Sequence, residues 1–251
     1  MRLFQRFKDG VTTKASALDF LLRIAGAVGA IDAALTEFAE ADGQGTLRIV
    51  APPIIVQRLL IPHLDDLHAR HPAIELIFRV RTALSQGGSE TDAEIFFSGG
   101  SSPPSQAQWL TGDRFSVVTH PSLAPPDVPM GELINYPLLR HSKVERAWTD
   151  LAERHGLQLA NARVHDYEQY SLIIDAAMQK LGVAIIPSFL IWDVLREGRL
   201  RRIGEEIAFP GMGFYYQLHR REKAAMSRKV FTWVKETVQL LEAANIPNGN
   251  G

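Results

Sequence analysis

Eight histidines and no cysteine set the reactive inventory of this 251-residue chain. Without thiols there is no disulfide, no thiolate nucleophile and no cysteine-held zinc. His63, His68 and His71 crowd one segment. His68 and His71 share a helical face, but His63 lies off it and no carboxylate completes a set at ligand spacing, so no metal is expected. His141-Ser142-Lys143 offers a nucleophile beside a base. Adjacent residues at a strand end point to opposite sides, so a hydrogen-bonded dyad is not expected either. The motifs G-x-S-x-G, H-E-x-x-H and G-x-G-x-x-G are absent. This inventory favours binding over catalysis: no catalytic residue and no cofactor is expected.

Charge narrows the partners. Lys+Arg is 27 against Asp+Glu 28, a net charge of -1, which excludes a uniformly basic nucleic-acid binder while leaving room for a local basic patch. Arg2, Arg6, Lys8 and Lys14 form such a patch against Asp9 alone. Asp9-Gly10 signals a turn and Val11-Thr12 favour a strand, so residues 1–15 read as a small basic hairpin. The apolar run from Leu181 to Trp192 is shorter than the ~20 residues a bilayer needs, and Pro187 interrupts it. It reads as a buried strand and turn. Asp19 and Arg23 spoil any signal peptide, and a cytoplasmic location is expected.

The elements that must position these residues alternate. Strands are expected at 47–50, 74–80, 94–97, 114–119, 138–141, 162–166, 183–187, 199–203 and 213–219. Helices are expected at 54–70, 131–136, 145–155, 168–180, 188–196 and 226–243. Such alternation predicts an α/β fold with mostly parallel sheets. Phe214-Tyr215-Tyr216 reads as core plus surface, and Arg199, Arg201 and Arg202 with Arg196 as a solvated face. The last helix has an apolar face (Phe231, Val234, Val238, Leu241) that needs a sheet. Two α/β subdomains with a cleft follow: one from about 45–97 plus a segment from about 217 to 244, the other about 113–210.

Residues 16–40 read as one long helix. Leu21, Ile24, Val28, Ile31, Leu35 and Phe38 recur at spacings 3, 4, 3, 4, 3, a seam suited to a partner helix. Asp42-Gly43-Gln44-Gly45 ends it as a linker. The seam predicts a homo-oligomer.

Several pieces together resemble the LysR-type transcriptional regulators. Gly45-Thr46-Leu47-Arg48-Ile49 is similar to the opening strand of that family's effector domain. Ile61-Pro62-x-Leu64-x-x-Leu67-x-x-x-His71-Pro72-x-Ile74-Glu75-Leu76 is similar to its first helix and second strand, and Asp92-Ala93-x-Ile95 to its third strand. Gly182-Val183-Ala184-Ile185-Ile186-Pro187 followed by Leu195-x-x-Gly198-x-Leu200 resembles its late signature. Ala51-Pro52-Pro53 and the helix entry after Asp166-Tyr167 look most like the branch of glycine-cleavage activators. Leu3-Phe4-x-Arg6-x-x-x-Gly10-Val11-x-Thr13 resembles the wing that ends the family's winged helix-turn-helix.

The resemblance implies a type-2 periplasmic-binding-protein-like fold: a wing remnant at 1–15, a dimerising linker helix at 16–44 and an effector-binding domain at 45–244. It implies a small-molecule effector, a homo-oligomer, promoter DNA as the family's partner and no membrane. The family's recognition helix has no counterpart in this sequence. Major-groove readout needs such an element, so this chain is expected to touch DNA only at phosphates, through Arg2, Arg6 and Lys8.

In such folds ligands bind outside the carboxyl ends of the strands. That rule, with the family's effector site, selects Pro53, Ile54, Thr82, Ser98, Gly99, His141, Tyr167, Glu168 and Pro187 as effector contacts. Helix starts near 54 and 168 favour an anionic effector, although Pro52 and Pro53 remove two amide donors and weaken that preference. A solute-binding receptor of the periplasmic type shares the fold and is the alternative. It differs at the N-terminus, where a receptor needs a cleavable signal.

Overall fold

The computed structural model describes residues 4–7, 10–13, 20, 23–24, 26–28, 31, 43–80, 91–99 and 103–244. Strands β1 (Phe4–Phe7) and β2 (Gly10–Thr13) pair antiparallel with Phe7 opposite Gly10. The turn dipeptide Asp9-Gly10 predicts this pairing. Phe20, Ile24, Val28 and Ile31 stand in helical backbone and are exposed. Leu21, Leu35 and Phe38 lie outside the described residues, as do Arg2, Lys8 and Thr82.

Two five-stranded sheets form the rest. The chain first lays down β3 (Gly45–Ala51), β4 (Ile74–Val80), β5 (Ala93–Gly99) and β6 (Gln108–Thr111). It then crosses to a second sheet of β7 (Arg114–Thr119), β8 (Leu138–His141), β9 (Val164–Tyr167), β10 (Val183–Pro187) and β11 (Arg201–Ala208). It returns as β12 (Met212–Leu218) between β5 and β6. The orders are β4-β3-β5-β12-β6 and β11-β7-β10-β8-β9.

The sheets are mixed, not mostly parallel. β3 pairs parallel with β4 and β5, and β8 with β9 and β10, while β12 and β7 make only antiparallel pairs. A helix between two strands favours a parallel crossover. The strands at each lobe crossing have no such helix before them, and these run antiparallel.

The helices depart from expectation where proline or length intervenes. Residues 54–70 are not one helix. An α-turn at Pro53–Ile55 widens into a π-turn at Val56–Leu60, tightens to 3-10 at Ile61–His63 and resumes as α at Leu64–Arg70. Pro62 lacks an amide hydrogen and crowds the preceding turn, which breaks the regular ladder. The expected helix 131–136 is a 3-10 segment, Met130–Asn135. The expected 188–196 is 3-10 at Ser188–Leu190, then α at Trp192–Arg196. β11 continues past 203 because Gly204, at φ +67°, shifts the register between Ile203 and Ile207.

The core follows the pattern. β10 is buried at all five positions, as its continuous apolar run requires. The final helix, Ala224–Ala244, buries Met226, Val230, Trp233, Val234, Val238 and Leu241. Phe214, Tyr215 and Tyr216 are all buried, contrary to a core-plus-surface alternation, because β12 is an inner strand with both faces covered. Tyr215 packs on Trp109 and Phe96. Arg201 and Arg202 are half-buried and engaged rather than solvated. Arg202 donates to Ser116 and pairs with Glu206, Arg201 donates to the Ala124 carbonyl, and Arg196 lies over Trp192. Arg196 and Arg199 are both exposed, Arg199 beside Glu197, so the solvated reading holds for these two.

Candidate functional site

The two lobes enclose a cleft of about 770 Å³. The first lobe supplies the end of β3, the Pro52-Pro53-Ile54 turn, β5 from Glu94 to Phe97 with Gly99, and Phe214 and Gln217 of β12. The second lobe supplies His141, Lys143, Val144, Glu168, Gln169 and Tyr170.

Each wall has a local cause. The Pro52 carbonyl accepts from Ile55 and Val56 and starts the turn, with Pro53 in the first helical position its fixed φ suits. On the opposite side β8 and β9 run parallel, with His141 beside Tyr167. Ser142 donates its amide to the Tyr167 carbonyl at 2.9 Å, tying the two strand ends. One rung back, Arg140 grips both Asp166 oxygens, at 2.6 and 2.9 Å. That guanidinium lowers the Asp166 pKa, and the carboxylate raises that of Arg140.

His141 is the distinctive group. Its ring centroid lies 4.6 Å from that of Tyr170, which is buried and whose hydroxyl pKa burial pushes up. The His141 pKa is lowered to about 4, by burial first and by Lys143 second, with Glu168 opposing both. The Lys143 amide donates to Nδ1 at 3.2 Å, so the neutral ring carries its proton on Nε2. Nδ1 is therefore engaged by the backbone amide of Lys143 rather than by the Ser142 hydroxyl.

This shift makes a pH prediction. The unfolded chain binds the His141 proton near pH 6.5 while the fold resists it until about pH 4. More protons on the unfolded state means stability rises with pH across that window and falls as pH drops through it. After a discount for partial exposure we expect a loss of about 1–2 kcal/mol from this group between pH 6.5 and 4. Urea unfolding of the chain and of His141→Asn at both pH values checks it. An equal slope in the two proteins would refute the assignment.

Of the expected effector contacts, Pro53, Ile54, Gly99, His141 and Glu168 line the cleft. Ser98 is buried outside the lining, Tyr167 contributes its carbonyl to the Ser142 bond, and Pro187 is buried in β10 opposite Phe115. Sequence reasoning missed Phe97, Lys143, Gln169, Tyr170 and Phe214. Lys143, Gln169 and Tyr170 adjoin residues selected by the strand-end rule, so a window of two residues would have found them. His63 turns its Nδ1 to the Leu59 carbonyl, 2.8 Å away.

Comparison with known proteins agrees with this architecture. The LysR substrate binding domain family matches residues 40–239. The HTH-type transcriptional regulator TrpI of Pseudomonas aeruginosa is 30% identical over 163 residues, 59% of this chain and 53% of TrpI. This chain thus spans about half the length of that relative. The HTH-type transcriptional activator AmpR of Citrobacter koseri is 22% identical over 201 residues, 80% of this chain and 70% of AmpR. The AmpR effector binding domain from Citrobacter freundii superposes with a TM-score of 0.67 at 22% identity, covering 78% of this chain and all of that domain. No helix among the described residues is long and apolar enough to cross a membrane. Two mixed sheets around a cleft and a family match over most of the length lead to one assignment: the chain belongs to the LysR substrate binding domain family.

Proposed function

We propose that this chain is the sensing part of a cytoplasmic LysR-type transcription regulator and binds a small-molecule effector between its two lobes. The observation that carries this is the cleft itself: it is walled by both sheets, so a ligand touching both biases the spacing between them. Lys143 on its polar wall gives an acidic group on the effector a partner. The relatives named as transcriptional regulators support the regulatory reading over that of a solute receptor. The test is a thermal-shift screen of metabolites against the intact chain and Ile54→Trp, which fills the cleft. Compounds that stabilise the first and not the second are expected. Stabilisation that is equal in both, or absent throughout, would sink the proposal.

The same reading makes the chain a homo-oligomer through the 16–40 seam. Ile24, Val28 and Ile31 are 48%, 60% and 62% exposed in the single chain, an apolar surface suited to a second copy. We expect a dimer by light scattering at micromolar concentration, converted to monomer by Ile24→Asp, Val28→Asp and Ile31→Asp together. A dimer that survives all three changes would place the contact elsewhere.

A further inference from the structure

The two walls of the cleft differ in chemistry. The first lobe presents the apolar groups Pro53, Ile54, Phe97 and Phe214, with the two phenyl rings edge-to-face at 5.2 Å, and beside them Glu94 and Gln217. The second presents His141, Lys143, Glu168 and Gln169. A ligand between them has an apolar side and a hydrogen-bonding side.

The polar wall is more specific than that. Lys143 and Glu168 carry opposite charges and both act on the His141 ring through space. Neither side chain has an ion-pair partner among the described residues, although Arg140–Asp166 and Arg202–Glu206 nearby in the same lobe are paired. A simple anion drawn to Lys143 meets Glu168, and a simple cation drawn to Glu168 meets Lys143. Like-charge contacts of this kind reject single-sign ligands as effectively as attractive ones select. Pro52 and Pro53 also deny the first lobe the cluster of amide donors that a phosphate group requires. The neutral imidazole of His141 lines the same wall and has one donor, Nε2–H.

We infer that the cleft takes an amino-acid-like zwitterion with an apolar side chain, its carboxylate on Lys143, its ammonium on Glu168 and its side chain against Phe97 and Phe214. This rests on the cleft being the effector site, as proposed above.

Titration calorimetry on the intact chain tests it with four probes: L-phenylalanine, L-leucine, 3-phenylpropanoate and phenethylamine. We expect at least one amino acid to bind, and each phenyl analogue lacking a charge to bind roughly tenfold or more weakly than L-phenylalanine. Lys143→Gln should weaken L-phenylalanine and strengthen phenethylamine, whose like-charge contact it removes. Glu168→Gln should weaken L-phenylalanine and strengthen 3-phenylpropanoate, for the same reason. The inference is overturned if neither amino acid binds at millimolar concentration, or if 3-phenylpropanoate binds as tightly as L-phenylalanine. Binding of 3-phenylpropanoate alone, abolished by Ile54→Trp, would refute the zwitterion and keep the cleft as the effector site. Amino-acid binding indifferent to Ile54→Trp would refute both.

Discussion

Replacing Gly182 by alanine should cost the fold about 3 kcal/mol, the upper end of what a single added methyl does in a packed interior. An alanine Cβ there would sit 2.2 Å from the Pro137 carbonyl oxygen and 3.0 Å from a Leu139 methyl. The oxygen is not free to move away. It accepts the Val183 amide at 2.8 Å, the contact that brings β10 alongside β8. Backbone therefore meets backbone, and no rotamer change relieves the collision. Gly156 is the matched control. Its φ is +68° and nothing lies within 4 Å of the added carbon, so Gly156→Ala charges only the left-handed conformation, about 1–2 kcal/mol. Urea titration of both variants measures the difference. Equal shifts would mean that β10 and β8 separate at low cost and that the close approach is unimportant.

Asp92→Ala should be nearly as damaging. The side chain is fully buried and accepts the Arg48 amide at 2.8 Å. The same residue's amide donates to the Arg48 carbonyl and its carbonyl accepts from the His219 amide, so one residue joins the middle of β3 to the start of β5 and the end of β12. Arg48 and Arg220 approach its carboxylate from outside, at 3.7 and 3.5 Å. Those guanidinium groups remain partly exposed and lose little when unpaired. The stranded amide carries most of the cost, so we expect about 2–3 kcal/mol for Asp92→Ala. Asp92→Asn keeps an oxygen acceptor and should cost about half as much. Thermal unfolding of both variants distinguishes this account from one based on charge, in which the two would be equally harmful.

Much of this architecture is legible in the residues. β10 announces itself through five uninterrupted apolar positions, and β7 and β8 through short β-branched and leucine-rich runs between turn signals. β6 does not. Gln108-Trp109-Leu110-Thr111 follows a proline and serine stretch, and its hydrogen-bonding partner is β12, about a hundred residues later. The candidate site divides along the same line. Pro53, Ile54, Gly99 and His141 stand at or just past the carboxyl ends of parallel strands, where the strand-end rule points. Phe214 lies near the start of its strand. It reaches the cleft because β12 runs antiparallel to β5 and sets Phe214 opposite Phe97. A rule written for parallel strands passes over it, and only the return of the chain reveals it.

That return also sets the order in which the molecule can be made. The second sheet is drawn wholly from residues 114–208, whereas β5 waits for a neighbour that begins at Met212. During synthesis the second sheet has all its strands while Ala93–Gly99, with Ile95, Phe96 and Phe97 at its centre, still carries a row of unpaired amides and carbonyls. Such an edge recruits other strands. A nascent chain that has emerged only as far as residue 208 therefore carries one lobe with all its strands and one sticky, half-built lobe, and the speed at which the next residues emerge bears on yield.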